Sequence, residues 1–346
     1  MKKTGLFILL LVVVLVGAGA WLFLGPGTAF SGKNKALYIH STAATKGAVL
    51  DSLKTEQIVA HEGLFEWLAN RMDLWKSIKP GKYEIARGSS LLTIIRKLRN
   101  GQQTPVNLVI TKLRTKEDLA HLVGRHFECD SAQMMAFLNS PDSLQPFGVD
   151  TLQAMTVVLP DTYTFFWNTT PGKIYSKLAA ESKTFWNDER KQKADALGLT
   201  FSKAYILASI VEEETNNNAE KDTIASVYLK RVAKGMPLQA DPTIKFGLRD
   251  FGLKRIYEKH WRVPTPYNTY LNKGLPPGPI CTPSKTTIDA VLSAPQTPYF
   301  YFVANKAFNG THVFTTNYTD HLRYAKEYQR SLDSLILARN EKEETQ

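Results

Sequence analysis

Ile206-Leu207-Ala208-Ser209-Ile210-Val211-Glu212-Glu213-Glu214-Thr215 is an apolar run that ends on three consecutive glutamates. At about 100° per residue, with Leu207 at zero, Ile210 falls near roughly −60° and Val211 near roughly +40°. Glu214 falls near roughly −20°, between them, while Glu212 lies near roughly 140° and Glu213 near roughly 240°. The spacing predicts that Glu214 alone continues the buried stripe. Glu212 then lies on the side of Ala208 and Ser209, and Glu213 at the edge beside Ile206. A carboxyl on a buried stripe loses hydration, which disfavours its charged form and raises its pKa. A raised pKa suits a general acid working near neutral pH. Glu212 and Glu213 are expected to stay ionised. A bare run of three glutamates can instead fan out into water at a helix end, so the residues that follow carry weight.

Those residues are rich in groups that build sugar sites. The helix expected over Lys203–Thr215 is followed by a second over Ala219–Lys234, ended by Gly235. Loops rich in proline and glycine then run from Met236 to Thr282. Proline stiffens such loops, and glycine lets backbone approach a ligand closely. Gln239, Asp241, Tyr267, Asn268, Thr269, Tyr270, Leu275 and Pro276 are the candidate substrate contacts, since tyrosine faces and side-chain amides suit pyranose rings and acetamido groups. Asp241 is the best second carboxylate, although its place between Ala240 and Pro242 suggests an anchoring role for the loop. Strands are expected at Tyr299–Asn305 and Thr311–Thr315, joined through Asn309-Gly310, and a last helix at about Thr319–Arg339. His312 and His321, near this hairpin, are expected to be packed or surface residues. The seven histidines show no HExxH or similar spacing, and no phosphate loop appears, so neither a metal nor a nucleotide cofactor is expected.

Working back toward the N-terminus, the segment from about Asp130 to Gln192 reads as mostly helical, with one break at Leu159-Pro160-Asp161-Thr162-Tyr163. Between Ala36 and Val123 a strand, a Ser or Thr cap and a short helix recur. Strands are expected at Ala36–His40, Lys82–Ala86 and Val106–Ile110, and helices at Lys46–Lys54, Gly63–Arg71, Leu91–Arg99 and Lys116–Val123. Gly5 to Leu24 has no charged residue, and 20 such residues at helical rise can cross a hydrocarbon core. Lys2 and Lys3 precede it and should stay cytoplasmic. A cleaved signal peptide is the competing reading, with Ala18-Gly19-Ala20 as its site. Either reading puts the body of the chain outside the cytoplasm. The net charge of +11 suits acidic partners, yet no basic run or nucleic-acid motif is visible, so nucleic acid is not expected. Cys129 and Cys281 make no metal pattern. They could pair in an oxidising compartment, but two separate thiols are the expectation.

The ordered motifs resemble one family, the endolytic murein transglycosylases, also called YceG-like. They are Ala208 to Thr215, Gly235 to Thr243, Tyr267 to Tyr270, Gly274 to Ile280, Pro298 to Ala304 and Gly310 to Phe314. Pro160-Asp161-Thr162-Tyr163 adds a match in the middle of the chain. Val157-Val158-Leu159 and Ala240 depart from the usual pattern. The resemblance implies an α+β protein: a transmembrane anchor, a small LysM-like module and a lysozyme-like catalytic domain. The boundaries expected are a cytoplasmic tail at 1–4, an anchor at 5–24, a linker at 25–35 and the LysM-like module at 36–105. An intermediate α+β region at 106–200, the catalytic domain at 201–339 and a disordered tail at 340–346 follow. It also implies Glu214 as catalytic acid/base, with Glu212 as second choice, and Tyr267-Asn268 as a pair bordering the cleft. The implied activity is lytic cleavage of the MurNAc–GlcNAc bond in peptidoglycan, leaving 1,6-anhydro ends. The implied partners are glycan strands, the inner membrane and cell-wall synthesis proteins. The rival readings are a hydrolytic muramidase using Glu214 and Asp241, and a non-catalytic wall-binding scaffold.

Overall fold

Burial alternates from Leu37 to Ile39, and polar and apolar residues alternate from Lys82 to Ile85, which favours half-buried strands. In the computed structural model, which describes residues 2–253 and 255–344, these segments lie in β1 (Asn34–Ile39) and β2 (Gly81–Ala86). They pair antiparallel, with Asn34 opposite Ala86 and Ile39 opposite Gly81. The fold is mixed α and β, mostly helical with three two-stranded sheets among the described residues.

The chain groups into two compact units. The first holds residues 1–108, 122–131 and 164–171, and the second holds 109–121, 132–163 and 172–346. In the first unit, α1 (Lys2–Leu24) precedes β1, and α2 (Lys46–Thr55), α3 (Glu62–Arg71) and α4 (Leu91–Arg99) pack with the antiparallel β1–β2 pair. Leu91, Ile94, Ile95 and Leu98 fall at helical spacing and bury one face of α4 against Leu37, Phe65, Tyr83 and Ile85. Thr45 and Ser90 cap α2 and α4 by accepting the amides of Ala48 and Thr93. Among the described residues no single helix is both long and apolar enough to cross a membrane. The apolar part of α1 runs from Leu6 to Trp21, and most of its large side chains are exposed.

The segment 106–200 is divided between the two units. It contains β3 (Val106–Ile110), α5 (Lys116–His126), α6 (Ser131–Leu138), α7 (Pro141–Leu144), β4 (Asp161–Phe165), α8 (Pro171–Phe185) and α9 (Asp188–Ala196). The helix break expected at Leu159–Tyr163 is the start of a strand, β4, which pairs with β3. Pro160 cannot donate a backbone hydrogen bond, so it stands just before the strand and not inside it.

In the second unit, α10 (Phe201–Glu214), α11 (Lys221–Ala233) and α14 (Lys285–Leu292) form the central core. Leu207, Ile210, Val211, Ile224, Tyr228, Ile288 and Val291 fill it. The loops expected from Met236 to Thr282 contain two short helices, α12 (Asp241–Leu248) and α13 (Glu258–Trp261), and α14 was not anticipated. Pro242 sits in the first turn of α12, where its missing N–H has no helical partner to lose. The expected hairpin is β5 (Tyr301–Ala304) with β6 (His312–Thr315), Ala304 opposite His312. The last helix, α15 (Tyr318–Glu344), runs through most of the tail expected to be disordered, and residues 345–346 lie outside the described residues. Both cysteines are free and buried.

Candidate active site

Thr200 caps the start of α10 by accepting the amide of Lys203, and the helix ends because Thr215 turns to extended backbone at φ −148°. Glu214 is therefore the last helical residue. Its Oε1 accepts a hydrogen bond from the Tyr228 hydroxyl at 2.5 Å. No ion pair reaches its carboxyl among the described residues. Burial pushes its pKa up to about 7. The Tyr228 hydrogen bond pulls the other way, the charge of Asp241 pushes further up, and Lys245 and Arg231 offset part of the rise.

The two neighbouring glutamates correct the stripe reading. The middle of α10, from Ala204 to Val211, is buried on every side, so direction on the wheel does not separate buried from solvated positions. The side chains of Glu212 and Glu213 are only 16% and 15% exposed. What separates them from Glu214 is their partners. Glu213 meets Lys112 at 2.6 Å and Arg114 at 3.2 Å. Glu212 Oε2 accepts from Lys221 at 3.2 Å, Ser284 at 3.0 Å and the Thr287 hydroxyl. Burial is the largest influence on Glu212 and raises its pKa. The Thr287, Lys221 and Ser284 contacts together outweigh that, and the group lies below its ordinary value. Of the three, Glu214 alone is left with a hydroxyl and no cation.

Glu214 opens into a groove of about 450 Å³. The rest of its lining is Thr215, Asn216, Asn217, Ala304, Asn305, Phe308 to His312, and Tyr328. A larger cavity of about 730 Å³, walled by Phe147, Trp186 and Phe201, does not include Glu214. Size alone would select a cavity away from Glu214.

The residues expected to contact substrate divide into groups. Tyr270 donates its hydroxyl to Asp241 Oδ1 at 2.6 Å and stacks on Trp261, ring centroids 5.3 Å apart. Asp241 is raised above its ordinary pKa, first by burial, with the Tyr270 bond and Lys245 opposing. Asn268 is fully buried: its amide donates to the carbonyls of Trp261 and Val263, and its Oδ1 accepts from the Tyr270 amide. Every polar atom of that side chain is engaged within its own loop. Thr269, also buried, bonds the Ala240 amide and the Thr243 hydroxyl. Tyr267 packs on Phe246 at 4.6 Å. Leu275 packs against the α10 core, and Pro276 is buried. Gln239 is exposed, with its backbone in the left-handed region at φ +53°. None of the eight lines the groove. Asp241 acts on Glu214 through its charge, and Asn268 and Thr269 brace the loops. Gly278 lets one of these loops lie against Leu152, since a Cβ there would come within 2.2 Å of the Leu152 carbonyl oxygen.

Sequence reasoning missed Tyr228, which repeats the buried spacing of Ile224 and Ala225 and looks like ordinary core. It also read Asn309-Gly310 only as a turn. The amide pair Asn216-Asn217, one residue beyond Glu214, was the available signal for the groove wall.

Comparison with known proteins places the chain in a family. A family model described as the YceG-like family matches residues 37–327. The endolytic murein transglycosylase of Bacillus subtilis (strain 168) is 25% identical over 316 residues, 87% of this chain and 85% of that protein. The protein of the same name from Streptococcus pneumoniae (strain ATCC BAA-255 / R6) is 25% identical over 314 residues, 81% of this chain. This chain covers 56% of that longer relative. The crystal structure of a YceG-like protein from Listeria monocytogenes superposes with a TM-score of 0.56 at 23% identity, covering 85% of this chain and 99% of that one. At that identity the likeness speaks for the fold.

Proposed function

Because the chain belongs to the YceG-like family, we propose that it is an enzyme, a peptidoglycan lytic transglycosylase, that cuts glycan strands internally with Glu214 as its one acid and base. The curated relatives carry the name endolytic murein transglycosylase. The observation that carries the reading is a carboxyl with a pKa of about 7 at the edge of a groove walled by amides and aromatic rings.

Protonated Glu214 gives its proton to the oxygen linking MurNAc C1 to the next GlcNAc. That bond breaks and the GlcNAc end leaves as an alcohol. The resulting carboxylate takes the proton from the MurNAc C6 hydroxyl, whose oxygen attacks C1 and closes a 1,6-anhydro ring. Glu214 ends protonated, as it began, and water is not consumed. One carboxyl near pH 7 serves both steps. Hydrolysis by two carboxylates asks more of the site. Asp241 accepts the Tyr270 hydroxyl and does not line the groove, and Glu212 is occupied by Lys221 and three hydroxyl or amide donors.

In this reading α1 anchors the protein in the inner membrane with Lys2 and Lys3 cytoplasmic. Its side chains from Leu6 to Leu15 are between 48% and 73% exposed, which suits lipid far better than water. The body then lies outside the cytoplasm, with residues 36–105 as a LysM-like module that holds strands and 201–339 as the catalytic part. An anchored cutter acts on new strands, close to cell-wall synthesis proteins.

Mass spectrometry of cell wall digested by the parent and by Glu214→Gln tests this. Anhydro ends from the parent and none from the variant are expected. Reducing ends in their place, lost on Asp241→Asn, would establish a hydrolytic muramidase. Equal function of parent and Glu214→Gln without cutting would leave a wall-binding scaffold.

A further inference from the structure

His312 begins β6, and Glu220, the residue before α11, grips it at two points. Glu220 Oε1 accepts the His312 backbone N–H at 3.0 Å, and Oε2 lies 2.9 Å from Nδ1. The two side chains are 13% and 15% exposed, so solvent does not compete for this pair as it does on an open surface. A carboxylate only accepts, so Nδ1 carries a proton toward Glu220 and Nε2 is the ring nitrogen left for another partner. Nε2 has no protein partner among the described residues. Phe302 packs edge-on against the imidazole at 5.4 Å and against Tyr228 at 5.7 Å. One aromatic ring thus steadies both the histidine and the hydroxyl that bonds Glu214.

His312 lines the same groove as Glu214. The other polar side chains on that lining carry only amides and hydroxyls, and no lysine or arginine is present. A groove without a fixed cation suits a neutral ligand bearing hydroxyl and amide groups.

We propose that His312 and Glu220 form a substrate-binding pair: Nε2 exchanges a hydrogen bond with a hydroxyl or acetamido group of the sugar seated beside Glu214. Glu220 acts as the positioning residue that fixes the ring plane. The contact holds the sugar without taking part in bond breaking. This rests on the groove being a glycan site, but not on which reaction follows.

Two substitutions separate contact from scaffolding. Asparagine places its amide near the position of Nδ1, keeping the Glu220 bond while removing the groove atom. Glutamine reaches toward the position of Nε2. Both are made in full-length Glu214→Gln protein, and the Kd for purified, peptide-free glycan strands is measured by calorimetry beside a thermal melt. H312N is expected to weaken binding about tenfold, the equivalent of ~1.4 kcal/mol, with an unchanged melt, and H312Q by much less. In the cutting parent, H312N raises KM and leaves kcat in place. Unchanged binding by H312N overturns the proposal. So does equal loss by both variants with lowered melts, which would make the pair a structural clamp. Failure of the Glu214→Gln background to bind strands at all overturns it together with the glycan reading. Binding by a parent that does not cut would overturn the reaction alone.

Discussion

Replacing Glu214 by glutamine should stabilise the protein at pH 8 and leave it nearly unchanged at acid pH. The carboxyl rises from 4.5 to about 7 on folding, a change worth roughly 3 kcal/mol. The folded chain holds this proton more tightly than the unfolded chain. Between pH 4.5 and about 7 the folded state therefore binds more protons, and stability falls as pH rises. The contribution is fully present below the unfolded value and gone above the folded one. Glutamine cannot ionise, and its Oε1 can still accept the Tyr228 hydroxyl. Urea unfolding of parent and Glu214→Gln, followed by tryptophan fluorescence, should agree closely near pH 4.5. At pH 8 the variant should be the more stable by about 3 kcal/mol. Groups common to both proteins cancel in the difference. An equal difference at the two pH values would refute the reasoning, because it would mean that folding does not perturb this carboxyl.

Tyr228→Phe removes the hydroxyl that lowers the Glu214 pKa, so the basic limb of a kcat/KM pH profile should move upward by about one unit; a limb that stays or moves down contradicts the assignment. Glu212→Gln strands Lys221, only 5% exposed, and should cost about 3–5 kcal/mol in a thermal melt; a melt within experimental error of the parent would show that the lysine is not buried as described. Gly278→Ala puts a Cβ 2.2 Å from the Leu152 carbonyl oxygen and 2.9 Å from the Tyr267 hydroxyl, and should lower stability by about 1–3 kcal/mol through overpacking, read by urea unfolding; no change would mean that the loop has room the structure does not show.

Periodicity carried the reading of local structure where each element buries one face. The α4 stripe of Leu91, Ile94, Ile95 and Leu98 and the alternation in β1 both lie as expected. Reading failed where proline and glycine were taken as marks of loop alone. Pro242 is compatible with a first helical turn, and α12 starts there. It failed again at β4, a short strand whose partner β3 lies far back in sequence, because long-range pairing leaves little trace in local pattern. Some loop residues read as sugar contacts brace the loops themselves in the structure. Asn268 and Thr269 have the chemistry of ligand groups, but the same chemistry satisfies buried loop backbone. Composition cannot tell the two uses apart, whereas burial and hydrogen-bond partners can.

The three adjacent glutamates carry the point further. A helical wheel assigns direction, and direction decides burial only when one side of a helix meets water. At the end of α10 no side fully does, so each carboxyl takes its state from what faces it. Lys112 and Arg114 stand at Glu213; Lys221, Ser284 and Thr287 stand at Glu212; one phenol stands at Glu214. Those partners come from segments up to about a hundred positions away, as the Arg114–Glu213 pair shows. The pKa of Glu214 is thus set by the cations that tertiary structure withholds from it as much as by the apolar residues next to it in the chain. A lysine placed within ion-pair reach of Glu214 would lower its pKa toward that of an ordinary carboxylate and remove the acid near neutral pH, with no change to any residue of α10.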